Sequence, residues 1–166
     1  FSGSGGNLNL QNLPRGEMFG ANLRHLVSPK EGKKLIVADL SQIEVRTLCW
    51  LAEDHTTLEE IKKSDDIYEA FAVRFGKWDY GKGALKDEDP KLRHMVKTMV
   101  LGCGYGASAK KFAMISGMSL MEAQSAVNLY RNKLQKVVGL WNKLQRDMHI
   151  AYAQNKEFKL KLPSGR

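Results

Sequence analysis

Arg93, Lys97, Leu101 and Tyr105 recur at four-residue steps. On a helix each such step turns roughly 400°, so the four side chains share one slowly drifting face. Arg93 to Leu101 spans roughly 12 Å at 1.5 Å per residue, the reach of a triphosphate plus its sugar. Arginine grips phosphate oxygens through a planar fork, and lysine adds a compact charge. Asp39 is the second chemical feature, at the end of the apolar run Lys34-Leu35-Ile36-Val37-Ala38. A carboxylate at the end of a buried strand is costly unless its charge is used. Magnesium, a hard cation that takes oxygen ligands and phosphates, would use it. An acidic strand end and a basic helix face together read as a metal and a phosphate chain held between them. The plain alternatives are a solvent-facing or helix-capping aspartate and a solvated basic stripe.

The elements that would position these groups follow from local signals. The run at 34–39 reads as a short buried strand after the Pro29–Gly32 turn. Ser41-x-x-Glu44 has the form of a capping box and predicts a helix over 42–52. Thr57-x-x-Glu60 and Asp66-x-x-Glu69 predict two more, the second turning Ile67, Ala70, Phe71 and Val73 inward. Residues 76–89 read as a charged loop containing glycines. Asp89-Pro90 supplies a cap acceptor and a proline at the first helical position, so the basic face belongs to a helix over 90–105. Ser108 and Gly117 bound a short helix. Ser119-x-x-Glu122 starts another that runs to 136, Gly139 marks a break, and a last helix reaches 155. Phe158 to Leu162 alternates apolar and basic residues, as an exposed strand does. The expected fold class is α+β, mostly helical.

Bulk properties narrow the partners. The chain has 166 residues and a formal net charge of +8. A chain of about this length buries roughly 70% of its unfolded surface, enough for one domain. Nucleic acid is the first polyanion such a charge suggests and an anionic membrane the second. Cys49 and Cys103 lie in apolar surroundings without a CxxC or a Cys/His cluster, which argues against a zinc site or disulfide framework and suits a reducing compartment. His25, His55, His94 and His149 have no metal spacing. Met95, Met99, Met114, Met118 and Met121 read as core filler. There is no apolar run of membrane-spanning length and no signal peptide. The chain begins without methionine and ends at Pro163-Ser164-Gly165-Arg166, so both ends look cut from something longer.

Gly102-Cys103-Gly104-Tyr105-Gly106 is no P-loop, because no strand precedes it and no lysine-serine/threonine pair follows. Gly102 and Gly106 instead leave room for another backbone or a base to come close. Asp39-Leu40-Ser41-Gln42-Ile43-Glu44-Val45-Arg46 resembles motif A of family A DNA polymerases, the family of bacterial DNA polymerase I. Arg93, Lys97, Gly102, Tyr105 and Gly106 resemble its motif B. Asn9-Leu10-Gln11-Asn12-Leu13-Pro14-Arg15 resembles the family segment before motif A, and Asp66-Ile67-Tyr68 a segment where many members have Asp-Ile-His.

The resemblance implies a partial right-hand polymerase fold, with short palm strands and an inserted helical fingers lobe. Residues 1–50 would be palm with motif A, 51–155 fingers with motif B, and 156–166 the start of a return to the palm. The implied reaction adds deoxynucleotides to a primer 3′-hydroxyl on a template, with two magnesium ions at the reacting phosphate. By resemblance Asp39 would hold both ions, aided by the backbone carbonyl of Leu40. Arg93 and Lys97 would neutralise the triphosphate, and Lys97 could also protonate the leaving pyrophosphate. Gln42, Glu44, Tyr68, Leu101 and Tyr105 would line the nucleotide. Asn9, Gln11, Asn12, Arg15, Tyr105, Gly106 and Arg166 would meet primer–template DNA. Glu44 has two competing readings, the capping box and a position under the sugar that excludes a 2′-hydroxyl. Leu101 departs from the usual phenylalanine or tyrosine, and leucine there occurs in some viral members, which points to a phage or viral type. The family's second catalytic aspartate would lie past Arg166 and its thumb before Phe1, so this segment alone is expected to be inactive. The setting implied is the cytoplasm of a bacterium or a phage-infected host. A non-catalytic basic helical module that binds nucleic acid is the alternative, resting on net charge and needing no Asp39.

Overall fold

The computed structural model describes residues 13–14 and 16–160. The chain divides into two units, Phe1–Leu40 and Ser41–Arg166.

In the first unit a tight turn pairs the backbones of Met18 and Ala21. A single 3-10 turn, Leu23–Leu26, starts at Asn22, whose side chain accepts from the Arg24 amide at 3.1 Å. The Arg24 guanidinium donates to the carbonyl oxygens of Leu13 and Pro14, tying the start of the described chain to this turn. The expected strand at 34–39 is not formed. Ile36 and Val37 are 89% and 84% exposed. A strand needs a ladder partner and an apolar face needs a cover, and among the described residues nothing pairs with this run. The same holds for the alternating segment from Phe158, described as far as Leu160, which is irregular.

The second unit is a helical bundle. Its helices are α1 (Ile43–Leu51), α2 (His55–Lys62), α3 (Ile67–Arg74), α4 (Leu85–Glu88), α5 (Pro90–Gly104), α6 (Ala109–Ser116), α7 (Leu120–Lys133) and α8 (Gln135–Ala153). α5 is central and packs on α1, α3, α4, α6 and α7. Its inner face buries Val96, Met99, Val100 and Cys103 against Phe71, Phe112 and Tyr130. Fully burying side chains of this size is worth about 1.5–3 kcal/mol each. Burial also pushes the Cys49 thiol up to about 12 and the Cys103 thiol to about 11, which keeps both protonated and unreactive.

The helix starts explain the register. Asp89 accepts from the Leu92 amide at 2.9 Å with Pro90 next in line, so α5 begins where its sequence predicts. Ser119 and Glu122 form a complete capping box for α7. Ser108 caps α6, and Gly117 closes it with φ +71°. Ser41 and Glu44 form no such box. Gln42 is the N-cap of α1, with φ 45° and no side-chain cap bond, and the Ser41 hydroxyl pairs with the Gln42 amide oxygen instead. The α2 cap is Asp54, one turn before the expected Thr57 box. Gly139 does not break a helix but lies inside α8; the chain turns at Leu134, whose φ/ψ of −112°/53° separates α7 from α8. A mid-helix glycine costs about 1 kcal/mol, small enough for packing to override. The expected loop at 76–89 contains a 3-10 turn, Tyr80–Lys82, and α4. Glu69 draws α4 in by accepting from the Leu85 amide at 2.7 Å.

Asp54 is 3% exposed. It accepts from the amide and hydroxyl of Thr57 at 3.0 and 2.8 Å, and an Arg74 nitrogen lies 3.9 Å away. Arg74 also donates to the Lys133 carbonyl at the end of α7. Asp54→Ala should therefore cost about 2 kcal/mol or more in urea unfolding, from a lost cap and buried donors left unpaired. Asp54→Asn, which keeps the cap, should cost less. Equal stabilities for the alanine variant and the parent would show that this buried cluster does not hold the bundle.

Candidate functional site

The outward face of α5 carries Arg93, Lys97, Leu101 and Tyr105. Lys97 and Tyr105 are exposed, while Arg93 and Leu101 are half-buried. The inner face is the core just described, so the four-residue spacing marks a real outer stripe.

Arg93 is held from two sides. Its Nε donates to Asp66 Oδ2 at 2.5 Å and its Nη2 to Asp66 Oδ1 at 3.3 Å. Its guanidinium carbon lies 5.2 Å from the centre of the Tyr68 ring, and Lys97 Nζ lies 6.0 Å from the same ring. Both distances are within the range of cation–π attraction. Tyr68 is buried, and that burial raises its phenol pKa, with the negative charges of Asp66 and Glu44 acting the same way and Arg93 opposing. The Asp66 hydrogen bond raises the pKa of Arg93, which therefore stays charged. A polar cleft of about 530 Å³ opens beside this pair, lined by Gln42, Lys63, Asp65 and Lys86 as well as Asp66 and Arg93.

At the other end of the stripe, Leu101 and Tyr105 face Glu44, Thr47 and Leu48 of α1 across a largely apolar cleft of about 420 Å³. The Glu44 carboxylate, as acceptor for the Tyr105 phenol, raises the phenol pKa. Glu44 thus serves this cleft and not a capping box. Arg46 donates to the Ser41 carbonyl at 3.2 Å, bracing the start of α1, and Trp50 is exposed.

Gly102 and Gly106 do different jobs. A Cβ on Gly102 would lie 3.1 Å from the Phe112 ring, so this glycine admits α6 to the core; it does not face a base. Gly106 has φ +74° and open space around its Cα, so it turns the chain just past the helix end.

The structure thus gathers Gln42, Glu44, Tyr68, Arg93, Lys97, Leu101 and Tyr105 along α5 and its neighbours, with Gly106 just beyond. Asp39 and Leu40 belong to the first unit and are exposed. Asn9, Gln11, Asn12, Arg15 and Arg166 lie outside the described residues. No group of three His, Cys, Asp or Glu side chains able to hold a metal ion occurs among the described residues. The sequence reading marks Asp66 as a helix cap and as the first residue of the Asp-Ile-Tyr segment, but not as the partner of Arg93. Its pairing with Arg93 spans 27 positions, which no local spacing reveals.

The comparisons with known proteins converge. The family model for DNA polymerase family A matches residues 4–158. The thermostable DNA polymerase I of Thermus filiformis is 33% identical over 129 residues, 78% of this chain and 15% of that protein. DNA polymerase I of Synechocystis is 31% identical over 135 residues, 81% of this chain and 13% of the relative. DNA polymerase I of Caldicellulosiruptor bescii is 31% identical over 154 residues, 93% of this chain and 17% of the relative. The chain therefore spans a small part of the relatives it matches. No solved structure matches. The family model covers most of the chain and the relatives agree with it, so the chain belongs to DNA polymerase family A.

Proposed function

We propose that this chain carries the nucleotide-binding helix of a DNA-directed DNA polymerase, which adds deoxynucleotides to a primer 3′-hydroxyl on a DNA template. The observation that carries the proposal is the outer stripe of α5: two cations over one buried ring at one end, and a sugar-sized apolar cleft closed by Glu44 at the other. Arg93 and Lys97 neutralise the triphosphate, one turn apart. Lys97, the more exposed, is the proton donor for the leaving pyrophosphate. Leu101 and Tyr105 meet the sugar and base, and Glu44 sits where a 2′-hydroxyl would fall. Gln42 borders the phosphate end, and Tyr105 and Gly106 lie next to the templating base. Asn9, Gln11, Asn12, Arg15 and Arg166 are assigned to the primer–template duplex by their motif positions.

Magnesium, when bound, would supply charge neutralisation at the attacking and leaving oxygens. Asp39 is an oxygen donor of the right kind and the Leu40 carbonyl a second, but magnesium takes about six ligands. The described residues do not make that site, so Asp39 is assigned one ligand's share of it. Leu101 supports a phage or viral source, and the action on DNA in a bacterial cytoplasm follows from that family reading. No helix among the described residues is long and apolar enough to cross a membrane.

The direct test is single-nucleotide extension by the complete protein on a primer–template duplex. Extension only with the complementary deoxynucleotide is expected; duplex binding without any extension would leave a binding module.

Leu101 gives a sharper test of where the nucleotide lies. An aromatic ring stacked on a base is worth ~1–3 kcal/mol, and leucine offers contact without a ring face. Leu101→Phe should tighten apparent nucleotide binding by up to about tenfold and speed single additions. Rapid-quench measurements with deoxy- and dideoxynucleotides would check this. Identical kinetics for the two proteins would remove Leu101 from the nucleotide contact.

A further inference from the structure

We propose that Asp66 and Tyr68 act together as a positioning clamp that presets the Arg93 guanidinium for phosphate, an inference that rests on the nucleotide reading of α5.

Asp66 is a fixed anchor. Its carboxylate already accepts from the Tyr68 amide at 3.1 Å as the N-cap of α3, and its own amide donates to the Ser64 hydroxyl. It therefore keeps its place whether or not Arg93 is bound. The two contacts to Arg93 form a fork, the geometry that fixes a guanidinium plane rather than merely attracting a charge. The Asp66 side chain is 17% exposed and that of Arg93 32%, so the pair is only partly screened.

The second restraint is the Tyr68 ring, buried on α3 and facing Arg93 at 5.2 Å and Lys97 at 6.0 Å. The ring lies within cation–π range of both cations, which are one helical turn apart and repel each other. Of the five N–H donors on a guanidinium, the contact to Asp66 uses two, and the other three remain for phosphate oxygens. A free arginine would lose side-chain freedom on gripping a phosphate; a clamped one has already lost it. The competing effect is repulsion between Asp66 and an incoming polyanion. The fork offsets it, because the Asp66 charge is already paired to Arg93.

The ring face carries the Tyr68 share, and its hydroxyl does not. Tyrosine is thus a working replacement at a position where the family motif has histidine, and the nucleotide affinity it supports does not depend on imidazole titration.

The test uses the complete polymerase, primer–template DNA and one complementary deoxynucleoside triphosphate, with apparent nucleotide Kd and maximal rate read separately by rapid quench. Asp66→Asn keeps the helix cap, since asparagine caps about as well as aspartate. It should raise the Kd about tenfold by loosening the fork. In an Arg93→Ala background the same change should do nothing more, because Asp66 acts only through Arg93. Tyr68→Phe should match the parent, and Tyr68→Leu should raise the Kd by about threefold. An unchanged or tighter Kd for Asp66→Asn would overturn the clamp, as would an equal loss in the Arg93→Ala background, which would mean general damage to the fold. A Tyr68→Phe defect as large as that of Tyr68→Leu would overturn the ring-face role. If Arg93→Ala itself left nucleotide affinity intact, the nucleotide reading of α5 would fail with it; a defect there beside a silent Asp66→Asn would sink the clamp alone.

Discussion

Asp39→Asn in the complete polymerase is expected to cut nucleotide incorporation by at least ~100-fold while leaving primer–template affinity within about twofold. The substitution keeps shape and removes one negative charge. An amide oxygen is a far weaker partner for a hard divalent cation than a carboxylate oxygen. Asp39 is exposed in its unit, and surface substitutions of that kind usually change stability by no more than about 0.5 kcal/mol. A loss of rate would therefore report on chemistry rather than on folding. Under the proposed function, duplex affinity rests on the basic residues behind the +8 net charge and not on Asp39, and should keep its salt dependence. The outcome also separates the polymerase from a basic module that only binds nucleic acid, for which Asp39 is dispensable. Near-normal turnover by the variant would end the assignment of Asp39 to the metal.

The helical part of this fold was readable wherever a local signal and the packing agree. Asp89-Pro90 and Ser119-x-x-Glu122 start helices in the structure because the cap acceptor, the proline and the apolar face behind them favour the same register. Ser41-x-x-Glu44 has the same letters and forms no box. There Gln42 takes a left-handed conformation, and Glu44 has a better use facing Tyr105. Leu134, not Gly139, separates the last two helices, because a buried leucine at the turn anchors both ends while one glycine inside a helix is tolerated. Strands were the weakest reading. Alternation and apolar runs say that a segment could pair, but a ladder depends on a second segment that the run itself does not specify. The candidate site divides the same way. The α5 stripe is periodic and was legible residue by residue. The Asp66 fork and the Tyr68 ring come from α3 and meet α5 only through packing, so spacing could not announce them. Gly102 was read correctly as a close approach, but what approaches is Phe112.

Lys97→Ala and Arg93→Ala should both weaken nucleotide use far more than duplex binding, and they should do so differently. Removing one charge that faces the reacting phosphates typically costs ~3 kcal/mol in the transition state, or ~100-fold in rate. Lys97 is exposed, and its Nζ lies 6.0 Å from the centre of the Tyr68 ring, at the edge of cation–π range. Its loss disturbs little else, so the defect should fall mainly on the maximal rate, as expected for a group that matters most when the pyrophosphate leaves. Arg93 is different. Alanine there removes a cation and also strands the Asp66 carboxylate, 17% exposed, beside the incoming polyanion. The variant should therefore show a larger rise in apparent nucleotide Kd than Lys97→Ala, through lost attraction and through whatever repulsion the stranded carboxylate adds. Adding Asp66→Asn to Arg93→Ala tests that second component by another route. If unmasked repulsion is substantial, the double variant recovers part of the lost affinity; if the Kd stays where Arg93→Ala left it, the loss is attraction alone, which is the result the clamp requires. The latter is expected, because water screens a partly exposed carboxylate that no longer pairs with a cation. Rapid-quench kinetics beside equilibrium duplex titrations would resolve the two variants. If either instead lost duplex affinity and kept its nucleotide kinetics, the α5 stripe would belong to the DNA backbone.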